Sequence, residues 1–317
     1  MTDRHPDGRV GDPLLDWSQA PLRLRGDALN EPLDRYGLRR LVREAARRLA
    51  EAGVASPEVD ARLLAEHVIG RSLVMADGAS AEQVERYLGL VERRAAHEPL
   101  QLLTGTMWFR GLELLVRPGV FIVRPETEVV AQTAIDAARE AVVAGTVEPV
   151  VVDLCTGSGA IAAALAVEVP AARVTAVELD DAPAALAAEN LERLAPGRVR
   201  LVQADATAPE TLADLDGAVD VVVSNPPYVP VGAVEDDETE RFDPDLALYG
   251  GGAEGLAVPT AVIARASDLL QTGGVLVMEH DAGQGAALRE AARSAGFVEA
   301  STGQDLTGRD RYLRAVS

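Results

Sequence analysis

The sequence predicts an α/β fold, a doubly wound and mostly parallel sheet preceded by a small helical bundle. Three observations carry that prediction. From Val150 onward, short apolar runs ending in acidic or polar residues alternate with helical patterns, as in successive βαβ units. A glycine-rich turn, Gly157-Ser158-Gly159, directly follows the first of these runs, where an open parallel sheet binds its ligand. Residues 36–104, by contrast, carry apolar side chains at helical spacing.

Composition narrows the class. A chain of 317 residues with 48% hydrophobic side chains can bury the cores of two domains. Aromatics are only 3%, so Ala, Val and Leu must fill those cores. The net charge of −20 argues against direct nucleic-acid binding, where clustered Lys and Arg supply most of the affinity. With Cys155 alone there is no internal disulfide, and His5, His67, His97 and His280 lack metal-ligand spacing, so no metal is expected. Residues Met1–Val10 lack the apolar stretch of a signal peptide, and no apolar run reaches the ~18 residues of a membrane span. A cytoplasmic protein without membrane contact is expected.

Residues 1–35 hold scattered Pro, Gly, Asp and Arg without period and read as a flexible extension. Leu38, Leu41, Val42, Ala45 and Leu49 then recur at helical spacing up to Gly53. A second helix starts at Ser56-Pro57 and ends at Gly70, and a third spans about Ala81 to His97. This helical domain, 36–104, suits substrate recognition. Its first helix carries Arg39, Arg40, Arg43, Arg47 and Arg48, either a solvated face balanced by Glu44 and Glu51 or a docking surface.

A β-hairpin linker is expected over 105–124, with Leu112–Val116 and Val120–Val123 joined by the Pro118-Gly119 turn. Arg124-Pro125-Glu126-Thr127-Glu128 opens an amphipathic helix, and Glu126 or Thr127 reads as helix-start chemistry. Within the domain 125–317, strands are expected at Val150–Leu154, Val174–Glu178, Val199–Gln203, Val219–Ser224 and Gly274–Glu279. Helices follow Gly159, Asp181 and Pro259, and a final antiparallel pair uses Gly296–Ala300 and Arg311–Val316.

The segment Asp153-Leu154-Cys155-Thr156-Gly157-Ser158-Gly159 passes from strand to helix, so its glycines admit a ligand to backbone N–H groups at a helix start. Gly157, Gly159 and Ala162 also satisfy GxGxxA, with Glu178 at the spacing of a ribose-binding acid. The local motif suits a nicotinamide dinucleotide as well as S-adenosylmethionine. Markers farther along favour the second. Asp205 suits an adenine amino group, and the series Asp153, Glu178, Asp205, Asn225 places one polar residue at each successive strand end.

Asn225-Pro226-Pro227-Tyr228 ends the fourth strand. Two prolines remove two N–H donors and stop the ladder. Taken alone the tetrapeptide is either a turn or a polar corner. As a corner it offers the Asn225 amide oxygen and the Pro226 carbonyl, two acceptors for the two hydrogens of a planar NH2 group, beside the wall of Tyr228. The acidic run Glu235-Asp236-Asp237-Glu238, with Glu240 and Asp243, reads as a solvated loop rather than a cation site.

Together these segments resemble the HemK/PrmC family of protein-(glutamine) methyltransferases. The resemblance runs from about residue 36 to the end. It rests on Phe109-Arg110-Gly111-Leu112, the RPETE segment 124–128, the glycine loop 153–159 and Asn225–Tyr228. Ala247–Gly251, Glu254-Gly255-Leu256, Met278-Glu279-His280 and Gly308-Arg309-Asp310 also fit. It implies a Rossmann-like class I S-adenosylmethionine methyltransferase sheet. It further implies methylation of the glutamine amide in the Gly-Gly-Gln motif of peptide chain release factors. Asn225 and Pro226 then become the catalytic pair, and Pro227 and Tyr228 complete the substrate site. Cofactor contacts fall on Asp153, Cys155, Thr156, Gly157, Ser158, Gly159, Glu178, Asp205, Ala206 and Asn225. Cys155 stands where glycine is frequent, which is harmless if its backbone is not left-handed. Ala206 replaces a frequent adenine-covering aromatic. A glutamine methyltransferase for a ribosomal protein, a nucleic-acid adenine methyltransferase and a dinucleotide-binding regulator are the alternatives.

Overall fold

A computed structural model describes residues 32–233 and 237–317, with the backbone of 15–16 and 23–24. Up to residue 31, the extension expected over 1–35 therefore lies outside the described residues, apart from β1 (Leu15–Asp16) paired antiparallel with β2 (Arg23–Leu24). The chain divides into two compact units, Met1–Gly105 and Thr106–Ser317.

In the first unit β3 (Leu33–Asp34) leads into α1 (Arg35–Glu51), and the Asp34 carboxylate accepts from Gly37 N at 2.7 Å. That contact satisfies one of the N–H groups a helix start leaves open. The helix α2 (Pro57–Ile69) begins on a proline and ends at Gly70 in the left-handed conformation. β4 (Gly78–Ala79) pairs with β3, and α3 (Ala81–Ala95) starts with a reciprocal Ser80–Gln83 capping box. A short α4 (Leu100–Thr104) follows, too brief for its periodicity to show in the sequence. Leu38, Leu41, Leu49, Leu64, Val84 and Val91 form the core. Of the arginines on α1, Arg35 pairs with Asp77 at 2.7 Å, Arg47 with Glu44 at 2.7 Å and Arg48 with Glu92 at 3.1 Å.

The second unit opens with a hairpin, β5 (Thr106–Phe109) and β6 (Leu112–Leu115). The expected pairing of Leu112–Val116 with Val120–Val123 is corrected: Leu112–Leu115 pairs backwards with Thr106–Phe109. The turn residues Arg110 and Gly111 both have positive φ, 48° and 75°, the twist a two-residue hairpin requires. Pro118-Gly119 makes an ordinary turn instead, and Val120 and Ile122 are buried outside any strand. Next come α5 (Thr127–Val143), β7 (Val150–Leu154), α6 (Ala160–Glu168), β8 (Arg173–Glu178) and α7 (Asp181–Leu194). The chain continues through β9 (Val199–Gln203), β10 (Val219–Ser224), α8 (Asp237–Phe242), α9 (Asp245–Leu248), α10 (Ala257–Leu269) and β11 (Leu270–Glu279). It ends with α11 (Gly285–Ser294), β12 (Glu299–Gln304) and β13 (Asp310–Val316). The expected strand Gly296–Ala300 shifts to 299–304 because Gly296, at φ 101°, closes the unanticipated α11.

These strands form one seven-stranded sheet in the order β12-β13-β11-β10-β7-β8-β9. All neighbours from β11 to β9 are parallel, and β13 runs antiparallel to both of its neighbours. The fold class expected from the sequence is therefore present. Progress along the sheet reverses between β7 and β10, and Ser224 pairs there with Leu154. The glycine turn after β7 and the corner after β10 thus open from adjacent strand ends, the crevice where such sheets bind ligands.

Candidate active site

The turn after β7 is held from beneath. Asp153 is fully buried, and its Oδ2 accepts from the Thr156 hydroxyl at 2.6 Å and Ala162 N at 3.1 Å. Its other oxygen has no hydrogen-bond partner. Burial pushes its pKa up to about 7, against the lowering by these two donors. Thr156 N adds a tie to Val177 O on β8 at 2.9 Å. The resulting turn needs three positive φ values: 61° at Cys155, 56° at Gly157 and 82° at Gly159. Cys155 is thus left-handed, contrary to the condition set for it above, because the chain must reverse immediately after a buried strand. A non-glycine residue carries a strain of about 1–2 kcal/mol there. Its thiol is partly open to the cleft, yet burial, Glu178 and Asp153 push its pKa up to about 12.

Glu178 at the end of β8 ties the turn to the next loop. Its Oε2 accepts from Gly157 N at 2.8 Å, and its Oε1 accepts from Leu179 N and Asp180 N at 2.9 and 3.1 Å. Burial raises its pKa, while those three N–H donors pull the other way. A carboxylate offers about four acceptor sites, so these three donors leave one acceptor site, on Oε2, for a ligand. Asp205, after β9, folds its Oδ1 onto Thr207 N and Oγ1 at 2.8 and 2.7 Å. Ala206 is buried, and the half-exposed Leu179 joins Pro183 as an apolar wall nearby.

One cleft joins these groups to the corner. Cys155, Gly157, Glu178, Asp205, Ala206 and Asn225 line it, and so do Pro226, Pro227 and Tyr228. Asp153, Thr156, Ser158 and Gly159 do not line it; they shape the turn from behind. A Cβ added at Gly157 would meet nothing within 4 Å, so room for a ligand exists on the cleft side of the turn. A bare backbone turn, an acid on the neighbouring strand and an apolar wall fit the sugar, adenine and amino-acid portions of S-adenosylmethionine.

The corner itself is set by residues to which the sequence assigned no part in it. Asn225 Nδ2 donates to Oγ1 of Thr127, a fully buried side chain, at 3.3 Å. Thr127 therefore turns inward, and its reading as simple helix-start chemistry is corrected: the α5 start has no side-chain cap. Tyr228 donates its hydroxyl to Oε1 of the fully buried Glu279 at 3.1 Å. Gln284 Nε2 binds the Tyr228 and Glu254 carbonyls, each at 2.8 Å, and its Oε1 accepts from Asp281 N. Gly250 and Gly255 close this scaffold, since a Cβ would lie 2.0 Å from Gly255 O in the first and 2.2 Å from Tyr228 O in the second.

Glu235 and Asp236 of the acidic run lie outside the described residues. Asp243 departs from the solvated reading. It is buried, and it accepts from Arg124 Nη2 at 2.5 Å and Ile122 N at 3.3 Å. No group of three His, Cys, Asp or Glu able to hold a metal occurs among the described residues. No helix there is long and apolar enough to cross a membrane.

A cleft of this build at the switch point of this sheet is that of an S-adenosylmethionine-dependent methyltransferase. Comparison with known proteins narrows the class. Residues 40–105 match the PrmC N-terminal domain and residues 120–243 match the methyltransferase small domain. The release factor glutamine methyltransferase of Bifidobacterium longum (strain NCC 2705) is 47% identical over 292 residues, covering 87% of this chain and 98% of that one. Those of Mycolicibacterium smegmatis and Streptomyces coelicolor are each 45% identical, covering 88% and 86% of this chain and 97% and 96% of their own. The chain belongs to the release factor glutamine methyltransferase family.

Proposed function

We propose that this chain methylates the side-chain amide nitrogen of the glutamine in the Gly-Gly-Gln motif of peptide chain release factors. The supporting observation is the orientation of Asn225. With Nδ2 committed to Thr127, the Oδ1 end is left for a ligand in the cleft. The Pro226 carbonyl lies just beyond the last ladder pair, Ser224 with Met278. The two oxygens accept the two N–H groups of a primary amide. A charged ammonium, with three donors, or a hydroxyl, with one, matches them less well.

A carboxamide nitrogen is a weak nucleophile because its lone pair is delocalised. Two acceptors on its hydrogens return density to nitrogen and stabilise the positive charge that it gains during transfer. When bound, S-adenosylmethionine supplies a methyl group whose bond to sulfur breaks, its electron pair staying on sulfur, as the bond to nitrogen forms. Holding the amide in line provides much of the remaining acceleration. Glu178 and the 155–159 turn would hold the sugar and amino-acid ends of the cofactor, and Asp205 its adenine. The nitrogen loses a proton only after the methyl has arrived, so a poised strong base is not required.

The test is incubation with methyl-labelled S-adenosylmethionine and purified release factors, followed by mass mapping. Label on the Gly-Gly-Gln glutamine, and none after its change to alanine, is expected. Label elsewhere, or on a ribosomal protein alone, would overturn the assignment.

A further inference from the structure

An amide side chain has two ends of nearly equal shape, and only its oxygen end can accept from a substrate NH2. Something in the fold must decide which end of Asn225 faces the cleft. Nδ2 donates to Thr127 Oγ1 at 3.3 Å. A hydroxyl accepts such a bond best when its own hydrogen points to a different acceptor. Behind Thr127 lies Glu279, in the position following Met278, the β11 partner of Ser224. Its Oε1 takes the Tyr228 hydroxyl at 3.1 Å, and its Oε2 is buried without a partner. The Thr127 hydroxyl is near enough to this carboxyl to favour its charged form, while Oε2 has no completed hydrogen bond.

We infer that Glu279 is a positioning residue: by drawing the Thr127 hydroxyl hydrogen toward Oε2, it leaves Thr127 Oγ1 as an acceptor and so fixes the Asn225 oxygen toward the substrate amide. The inference rests on the function proposed above and adds what sets the polarity of the corner. The ion is costly where it lies. Burial first, and Glu126 after it, push the Glu279 pKa up to about 7, while Thr127, Tyr228 and Arg311 lower it. These groups come from the start of α5, the corner after β10, and β13. A buried carboxylate compensated on one oxygen only requires an explanation, and orientation of the corner supplies one. Protonated, Glu279 no longer demands the threonine hydrogen, and the amide can turn.

Four variants test this: Glu279→Gln, Thr127→Val, their double, and Thr127→Ser. Glu279→Gln keeps an oxygen for Tyr228 but removes the charge. The readouts are the methyl-transfer rate on a release factor across pH 5.5–8.5, S-adenosylmethionine affinity and thermal unfolding. Losing one orienting hydrogen bond predicts a fall in kcat of about 10- to 100-fold, which is about 1.4–2.7 kcal/mol. Cofactor affinity should stay within about twofold. The double variant should be no slower than the slower single variant, because both act on one chain of contacts. Thr127→Ser should recover most activity. Wild-type rates should rise as Glu279 ionises through about pH 7, and that rise should shrink in Glu279→Gln, in which Asp153 still titrates near 7, and vanish when Asp153→Asn is added. A Glu279→Gln rate within twofold of wild type, or multiplicative losses in the double, would overturn the inference. If wild type labels no glutamine, the functional proposal fails with it; if wild type is active, Asn225→Ala is not, and Glu279→Gln is unimpaired, the inference fails alone.

Discussion

Replacing Asp153 by asparagine tests the physical account of the glycine turn. The carboxyl is fully buried, with one oxygen unpartnered and a pKa near 7 against an ordinary 3.8. A raised acid pKa means that the native state holds a proton which the unfolded state has already released. Stability is therefore lost as pH rises from about 4 to about 7 and changes little above. At about 1.4 kcal/mol per pH unit the whole window is worth on the order of 4 kcal/mol, and the part between pH 5.5 and 7 about 2 kcal/mol. Asparagine can still accept from Thr156 and Ala162 N through its oxygen, but it never ionises. The difference in unfolding free energy, variant minus wild type, should grow in the variant's favour by about 2 kcal/mol between pH 5.5 and 8.5. Urea unfolding without cofactor, run in matched buffers, measures it. Glu279 titrates equally in both proteins and cancels. A difference that does not change with pH would refute the buried, proton-holding Asp153 and with it this account of how the turn is anchored.

Two other substitutions probe the scaffold around the corner. Gly255→Ala forces a Cβ to 2.2 Å from Tyr228 O at a φ of 68°; it should cost at least about 2 kcal/mol in thermal unfolding and lower the transfer rate by moving Tyr228. Arg124→Met leaves the buried Asp243 carboxylate without its guanidinium, and because Arg124 is itself partly exposed the loss should be about 1–3 kcal/mol. Adding Asp243→Asn should restore part of it, and strictly additive losses would show that the pair is not coupled.

The sheet was legible because Val-rich runs of strand length end in polar residues, and because glycines and prolines punctuate them at the crevice. The hairpin was misread for a chemical reason. Pro118-Gly119 has the composition of a turn, whereas Arg110-Gly111 needs an arginine at positive φ, which residue type does not announce. Cys155 is the same kind of case, its left-handed backbone imposed by the strand it terminates. The groups behind the corner were less legible still. Thr127, Glu279 and Gln284 reach Asn225 or Tyr228 across 98, 51 and 56 residues of chain, and no local pattern reports contacts that only the folded sheet creates. Met278-Glu279-His280 was visible only as part of the family resemblance, with no role attached.

The central claim is that the Asn225 oxygen and the Pro226 carbonyl hold the amide that receives the methyl group. Single-turnover transfer to a release factor by Asn225→Ala, with S-adenosylmethionine affinity measured on the same protein, tests it most directly. The account predicts affinity within about threefold of wild type and a rate lower by at least about 100-fold, the scale on which a single stabilising group in a transition state acts. Transfer at close to the wild-type rate would contradict it.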